Sequence, residues 1–184
     1  MNKGLIFLGV LLVIGIGIFF AYRNSYNTAV SLQETVQQKW GDVGADYQRR
    51  ADLVPQLVAT VKGAADNERT ILTQVTNARA GFGTATTPEQ VEALSKQVNS
   101  AINVVLEAYP EIRSTANFGT LQAQLEGTEN RIAVSRKNYN EAVMEYNSHV
   151  RGFFNKMFLN SAEFPVKDMF KEDSTAAVAP KVSF

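Results

Sequence analysis

The chain has 184 residues, a usual length for a single folded body. Its 18 Lys and Arg balance 18 Asp and Glu, which argues against nucleic acid as a partner, since that needs a concentrated positive face. With no Cys and one His, disulfides, thiolate zinc sites and cysteine nucleophiles are excluded. We therefore expect no metal, no other cofactor and no catalytic residues, and a binding protein rather than an enzyme.

An uncharged stretch of 19 residues runs from Gly4 to Tyr22 and includes Leu5, Leu12 and Phe20. As a helix it rises about 28 Å, close to the hydrocarbon thickness of a bilayer, about 30 Å. A cleaved signal peptide is the alternative, but the stretch is long for one and no A-x-A-like site follows it. We expect residues 1–23 to be a single-pass membrane anchor that contacts lipid.

The orientation of this anchor is nearly balanced by charge. Lys3 lies on one side of the span and Arg23 on the other. A short basic N-terminus before a long apolar stretch usually stays in the cytoplasm. We expect the inner (cytoplasmic) membrane, with the body on the extracytoplasmic side.

The first long helix is predicted from residue 26 to residue 80, where apolar residues recur with a seven-residue period. Arg50 and Glu68 fall on its core-facing positions. Pro55 removes one hydrogen bond and crowds the preceding turn, so a kink or short break is expected at 52–54. The glycines of 81–83 are expected to end the helix.

Two further helices follow. Thr87 is a suitable N-cap for one that starts at Pro88 and is kinked or ended by Pro110. Residues 114–119 are predicted to be a connection. The last helix has an apolar stripe from Phe118 to Phe153, and a close helix contact is expected at its interior Gly127.

These elements predict an all-α fold in which a single transmembrane helix precedes an elongated antiparallel bundle of three to four long helices. Sustained heptads are typical of coiled-coil crossing angles. The predicted domains are the anchor (1–23), the bundle (24–170) and a flexible tail (171–184).

Charged residues within the stripes have two interpretations. Each can pair locally with its long side chain reaching solvent, or they can form a buried network that sets helix register more than stability. The network would contain Arg49, Arg50, Asp52, Glu107, Glu129, Asn130, Arg131 and Arg136. The lone His149 is expected to be a partly buried bundle residue, because no second His supports a ferritin-like metal site.

Three stretches carry a resemblance to a known family. RRADLVPQLVATVK (49–62), EAYPEI (107–112) and TENRIAVSRKNYNEAVMEYN (128–147) resemble the LemA family, and the similarity extends from the anchor to about residue 170. The resemblance implies a short membrane segment followed by an all-helical domain, with no known enzymatic activity. One branch of the family is associated with magnetosome membranes, which suggests membrane organisation as a theme.

The family pattern also places Tyr139, Asn140, Tyr146 and Asn147 beside the charged residues. Two roles remain open for this set. It can hold the bundle together through ion pairs and tyrosine hydroxyls, or it can form a ligand site. The first role is favoured, because structural ion networks commonly produce such clusters.

Aromatic residues crowd the segment after Gly152. The segment either folds back over one end of the bundle or forms an exposed patch for a partner or the membrane. Residues predicted for such a contact are Phe153, Phe154, Phe158, Phe164 and Phe170.

The sequence thus predicts a non-catalytic single-pass membrane protein. Its helical body would act as a binding and assembly module, homo-oligomeric, that organises membrane or envelope partners. The alternative is an accessory or regulatory subunit of a separate membrane enzyme, such as a protease.

Overall fold

The computed structural model describes residues 3–59, 65–110 and 116–171. Of these residues 87% are helical and none lies in a strand, which confirms the predicted all-α fold. The helices are α1 (Lys3–Ala59), α2 (Ala65–Thr84), α3 (Pro88–Ala108), α4 (Ala116–Arg151) and α5 (Asn155–Phe158).

The chain divides into two compact units. Unit 1 comprises Met1–Trp40 and Glu141–Lys167, and unit 2 comprises Gly41–Asn140 and Asp168–Phe184. The predicted domain boundaries at residues 23 and 170 stay a prediction. The predicted tail of 171–184 lies, from residue 172 onward, outside the described residues.

Unit 1 contains the apolar start of α1. Residues 3–24 are exposed throughout, and the stretch is long and apolar enough to cross a membrane. Packing begins directly after it, where Ser25 and Ala29 are buried. Because a helix satisfies its own backbone hydrogen bonds, lipid can cover the exposed part. The predicted span from Gly4 to Tyr22 therefore lies within one helix, as a membrane anchor requires.

The end of α1, in unit 2, corrects the expectation at Pro55. The predicted break at 52–54 was wrong, because α1 continues through Pro55 to Ala59. The kink that was its alternative stays a prediction. Residues 26–80, predicted as one helix, lie in α1 up to Ala59 and in α2 from Ala65, with 60–64 outside the described residues. Ala51, Val54 and Leu57 are fully buried around the proline. Burying a large aliphatic side chain contributes about 1.5–3 kcal/mol, so this packing offsets the cost of about 3 kcal/mol of a proline in a helix.

Helices α2 and α3 lie against each other in unit 2. Phe82 stacks on Tyr47 of α1 with ring centres 5.2 Å apart. Helix α2 ends at Thr84, one residue after the predicted end at 81–83. The predicted cap of α3 is confirmed, because the Thr87 hydroxyl accepts from the backbone N–H of Gln90 at 3.3 Å. Its predicted end is also confirmed, since α3 stops at Ala108.

Helix α4 buries most of its predicted stripe, including Phe118, Ile132 and Tyr139. Two expectations were wrong. A Cβ added at Gly127 would meet nothing within 4 Å, so no helix among the described residues makes a close contact there. Phe153 lies beyond the end of α4 and is 79% exposed. The predicted connection of 114–119 is helical from residue 116, and 114–115 lie outside the described residues.

Candidate functional site

Arg50 joins three helices of unit 2. Its Nη1 donates to the Glu129 carboxylate on α4, and its Nε donates to Asn99 Oδ1 on α3 at 3.1 Å. The Arg50 side chain is 14% exposed, whereas that of Glu129 is 61% exposed. The arginine is therefore largely buried, while its carboxylate partner stays in solvent.

A second charged contact of unit 2 is made by Arg136. Its Nη2 lies 3.3 Å from the Glu92 carboxylate and donates to the backbone carbonyl of Lys171 at 2.8 Å. The guanidinium also lies 5.0 Å from the centre of the Phe170 ring. This residue thus connects α4 to α3 and to the extended segment 168–171.

The remaining charged residues of the predicted network are less tightly held. Asp52 and Arg79 pair at 3.0 Å with both side chains well exposed, so the pair adds little stability. Glu107 is exposed on α3. The side chain of Glu68 lies outside the described residues.

Arg49, Asn130 and Arg131 line a separate feature of unit 2, an open cleft of about 540 Å³ on α1 and α4. Asp42 and Asp46 also line it, so the wall carries carboxylates and guanidinium groups together. Such a surface can form ion pairs and hydrogen bonds with a polar partner chain. Among the described residues, no group of His, Asp and Glu could hold a metal ion.

In unit 2, Tyr139 and Asn140 of α4 form hydrogen bonds with the backbone of the segment 168–171. Asn140 Nδ2 donates to the carbonyl of Phe170 at 2.9 Å, and Asn140 Oδ1 accepts from the Phe170 N–H at 2.8 Å. The Tyr139 hydroxyl donates to the carbonyl of Asp168 at 3.1 Å. Burial, and then the Asp168 charge, raise the pKa of Tyr139 to about 12, so the phenol stays a donor at neutral pH.

In unit 1, a second Tyr–Asn pair makes the same kind of contact. Asn147 Nδ2 donates to the carbonyl of Lys167 at 2.8 Å and its Oδ1 accepts from the Lys167 N–H at 3.0 Å. The Tyr146 hydroxyl donates to the carbonyl of Pro165 at 3.0 Å, and burial raises the pKa of this phenol. Both asparagines therefore bind backbone groups, which any residue type could offer.

His149 belongs to a small polar cluster of unit 1. Its Nε2 lies 3.0 Å from the backbone carbonyl of Ser25, which can only accept, so we assign the proton to Nε2. Nδ1 is then free to accept from Asn155 Nδ2 at 3.3 Å. The Ser25 hydroxyl in turn donates to Asn155 Oδ1 at 2.8 Å. The half-buried ring thus orients the turn after α4 against α1.

The predicted aromatic contact set separates into buried and exposed members. Phe164 and Phe170 are 3% exposed, each in edge contact with a tyrosine of its own unit, Tyr26 and Tyr139 respectively. Phe158 is half-buried beside Tyr22 at 6.1 Å. Phe153 and Phe154 are exposed. Phe164 and Phe170 are therefore packed within their own units, whereas Phe153 and Phe154 lie on an open surface.

Several contributing residues were missed from the sequence. Asn99 and Glu92 supply the α3 side of the charged contacts, and Ser25 and Asn155 complete the His149 cluster. The two Tyr–Asn pairs recur seven residues apart. These four residues were named from the sequence, and their repeat was a signal that the two pairs make the same kind of contact.

Comparisons with known proteins identify the family of the chain. The family model for the LemA family matches residues 39–184, which is more than half of the chain. The chain is similar to "Protein LemA" of Metamycoplasma hominis (strain ATCC 23114 / DSM 25592 / NBRC 14850 / NCTC 10111 / PG21), with 22% identity over 147 residues. That match covers 77% of this chain and 67% of the relative. The chain belongs to the LemA family.

Proposed function

We propose that this chain is a single-pass protein of the inner membrane whose helical body acts as a non-catalytic binding and assembly module. It would form homo-oligomers and organise membrane or envelope partners. The observation that carries the proposal is the continuity of α1, which passes without a break from the exposed apolar stretch into the buried packing that begins at Ser25. Because the exposed apolar stretch and the first packed residues of unit 1 belong to one helix, an anchor in the membrane would hold unit 1 next to the bilayer.

The surfaces of unit 2 support a binding role. The open cleft presents Asp46, Arg49 and Arg131 in a concave, polar setting. Mixed charges favour selective contacts, because a wrong partner brings like charges together. The LemA family is not a known enzyme family, which supports a role without catalysis.

Self-association is tested with two differently tagged copies of the full chain, expressed together and solubilised from native membranes. We expect one tag to recover the other. The variant Arg49→Glu with Arg131→Glu replaces both cations of the cleft by carboxylates, which leaves its charged lining wholly acidic, and tests whether this surface serves the assembly. Recovery of a stoichiometric membrane enzyme without the second copy would instead support the accessory-subunit alternative.

The side of the membrane has its own test. The chain has no native Cys, so Ser148→Cys, at an exposed position of α4, adds a single reactive thiol. Ser174→Cys is a parallel probe. We expect both to react with a membrane-impermeant maleimide in intact cells, after any outer membrane is opened. Reaction only after lysis would place the body in the cytoplasm.

A further inference from the structure

Residues 152–158, which comprise the turn after α4 and the short helix α5 and are together called the turn below, expose three large apolar side chains. Phe153 is 79% exposed, Phe154 71% and Met157 72%. The two phenylalanine rings contact each other edge to face at 5.3 Å. A cluster of this kind at a protein surface usually marks a contact with another protein or with a membrane.

The position of this turn distinguishes between those two occupants. Asn155 is hydrogen-bonded to Ser25, and the Phe158 ring contacts the Tyr22 ring at 6.1 Å. Both partners belong to the short part of α1 in which the exposed apolar stretch ends and packing begins. The turn is therefore held at the same level along α1 as the end of the predicted membrane span.

The dimensions of a bilayer place this level in its interface. The stretch from Gly4 to Tyr22 matches the hydrocarbon core of about 30 Å, and the headgroup regions add about 5–7 Å on each side. With Tyr22 at the edge of the hydrocarbon, a ring that touches Tyr22 lies in the interfacial layer. Tyr and Trp are favoured at this depth, and Phe is a usual apolar residue of segments that lie in the interface.

The charged residues around the turn also favour the membrane as the contact of this surface. Arg23, Arg151 and Lys156 are all exposed. The carboxylate of Glu163 accepts a hydrogen bond from the Tyr26 hydroxyl. Exposed cations next to apolar side chains are typical of segments that lie in the lipid interface, where they meet phosphate groups.

We infer that the turn formed by residues 152–158 is a second membrane contact of this protein. Phe153, Phe154 and Met157 insert at the boundary between headgroups and acyl chains, and the cations bind lipid phosphates. The inference rests on the proposed membrane anchor and deepens it. The bilayer holds unit 1 at the anchor and at the turn, which restrains rotation of the unit about the anchor axis.

The test uses the full chain reconstituted in phosphatidylcholine vesicles that contain phosphatidylglycerol and lipids brominated near the top of the acyl chain. Phe153→Trp places an indole in the turn. Val134→Trp, at a 58% exposed position of unit 2, is the matched control. Phe20→Trp reports the anchor itself. Trp40 is the single native tryptophan and is common to all samples, so differences from the native chain report the introduced indole.

We expect the brominated lipid to quench the Phe153→Trp signal at least threefold more strongly than the Val134→Trp signal. Aqueous iodide should show the reverse order. If Phe20→Trp is quenched by lipid while Phe153→Trp is quenched only by iodide, the second contact is overturned and the anchor stands. If lipid quenches neither, the anchor and the second contact both fail.

Discussion

Replacing Arg136 by Met is expected to loosen the C-terminal segment of unit 2. Arg136 donates to the Lys171 carbonyl at 2.8 Å, lies 3.3 Å from the Glu92 carboxylate and sits 5.0 Å from the centre of the Phe170 ring. Methionine keeps much of the stem volume and removes all three interactions. The substitution therefore tests whether charge and hydrogen bonding hold this segment on α4.

The size of the effect follows from these contacts. A hydrogen bond from a charged donor contributes about 1.5–3 kcal/mol, and a cation–π contact contributes about 0.5–1 kcal/mol. The partly exposed Glu92 pair adds about 1 kcal/mol or less. Because one side chain makes all three interactions, we expect a combined loss of about 2–3 kcal/mol, which increases opening of the segment roughly 30- to 150-fold.

Hydrogen exchange at the Phe170 amide measures this opening. That amide donates to Asn140 Oδ1 at 2.8 Å, a bond that the substitution leaves in place. Exchange should therefore accelerate in proportion to the opened population of the segment. Arg131→Met is the matched control, since Arg131 lies on the same helix and lines the cleft instead.

An acceleration below about threefold, or an equal one in the control variant, would refute the reasoning. The segment would then be held by Phe170 burial and the Asn140 contacts, with Arg136 contributing little.

Three further outcomes are expected, each measured as the thermal midpoint by circular dichroism at 222 nm. Arg50→Ala should lower it by about 4–12 °C, and Glu129→Ala by less than half as much, because the carboxylate is already solvated; equal shifts would contradict this. Gly127→Ala should raise it by about 2–4 °C, whereas Gly81→Ala should not, because its Cβ would lie 2.7 Å from Leu94 Cδ2; the opposite order would refute the packing. The pKa of Tyr139, raised to about 12, favours the neutral phenol in the folded state, so its stabilisation is present below pH 10 and is lost as pH rises to about 12. Tyr139→Phe should make the thermal midpoint fall less steeply between pH 10 and 12. An unchanged fall would contradict a role of the Tyr139 phenol in this pH dependence.

The helices were predictable because their signals are local and periodic. The cap at Thr87 and the end of α3 at Ala108 followed from residue types with a fixed role at helix ends. The apolar span of α1 followed from its length. In each of these places the local preference and the final packing favour the same structure.

The errors arose where packing overrode a local preference. Pro55 disfavours a helix, yet fully buried neighbours on both sides keep α1 intact. Gly127 was expected to lie in a close helix contact. The glycine with a close neighbour is instead Gly81, where an added Cβ would lie 2.7 Å from Leu94 Cδ2. A sequence shows that a residue is small without showing whether another element approaches it.

The candidate site was only partly predictable. Arg50 could be named because a charge on an apolar stripe needs a partner. Glu129 and Arg136 were named as matching charges on another helix and by the family resemblance. Asn99 and Glu92 are ordinary surface residues of α3 until the fold brings them to those arginines. The backbone contacts of Asn140 and Asn147 leave almost no trace in the sequence of the segment they bind, since every residue except proline has both a backbone carbonyl and a backbone N–H.

The central claim, that this membrane-anchored chain is an assembly module, is tested most directly by its mass in solution. Light scattering on the detergent-solubilised full chain, with the detergent contribution subtracted, compares the protein mass with the 20.2 kDa of one copy. We expect twice that mass or a higher whole multiple at micromolar concentration. A mass of one copy at that concentration would contradict the assembly role.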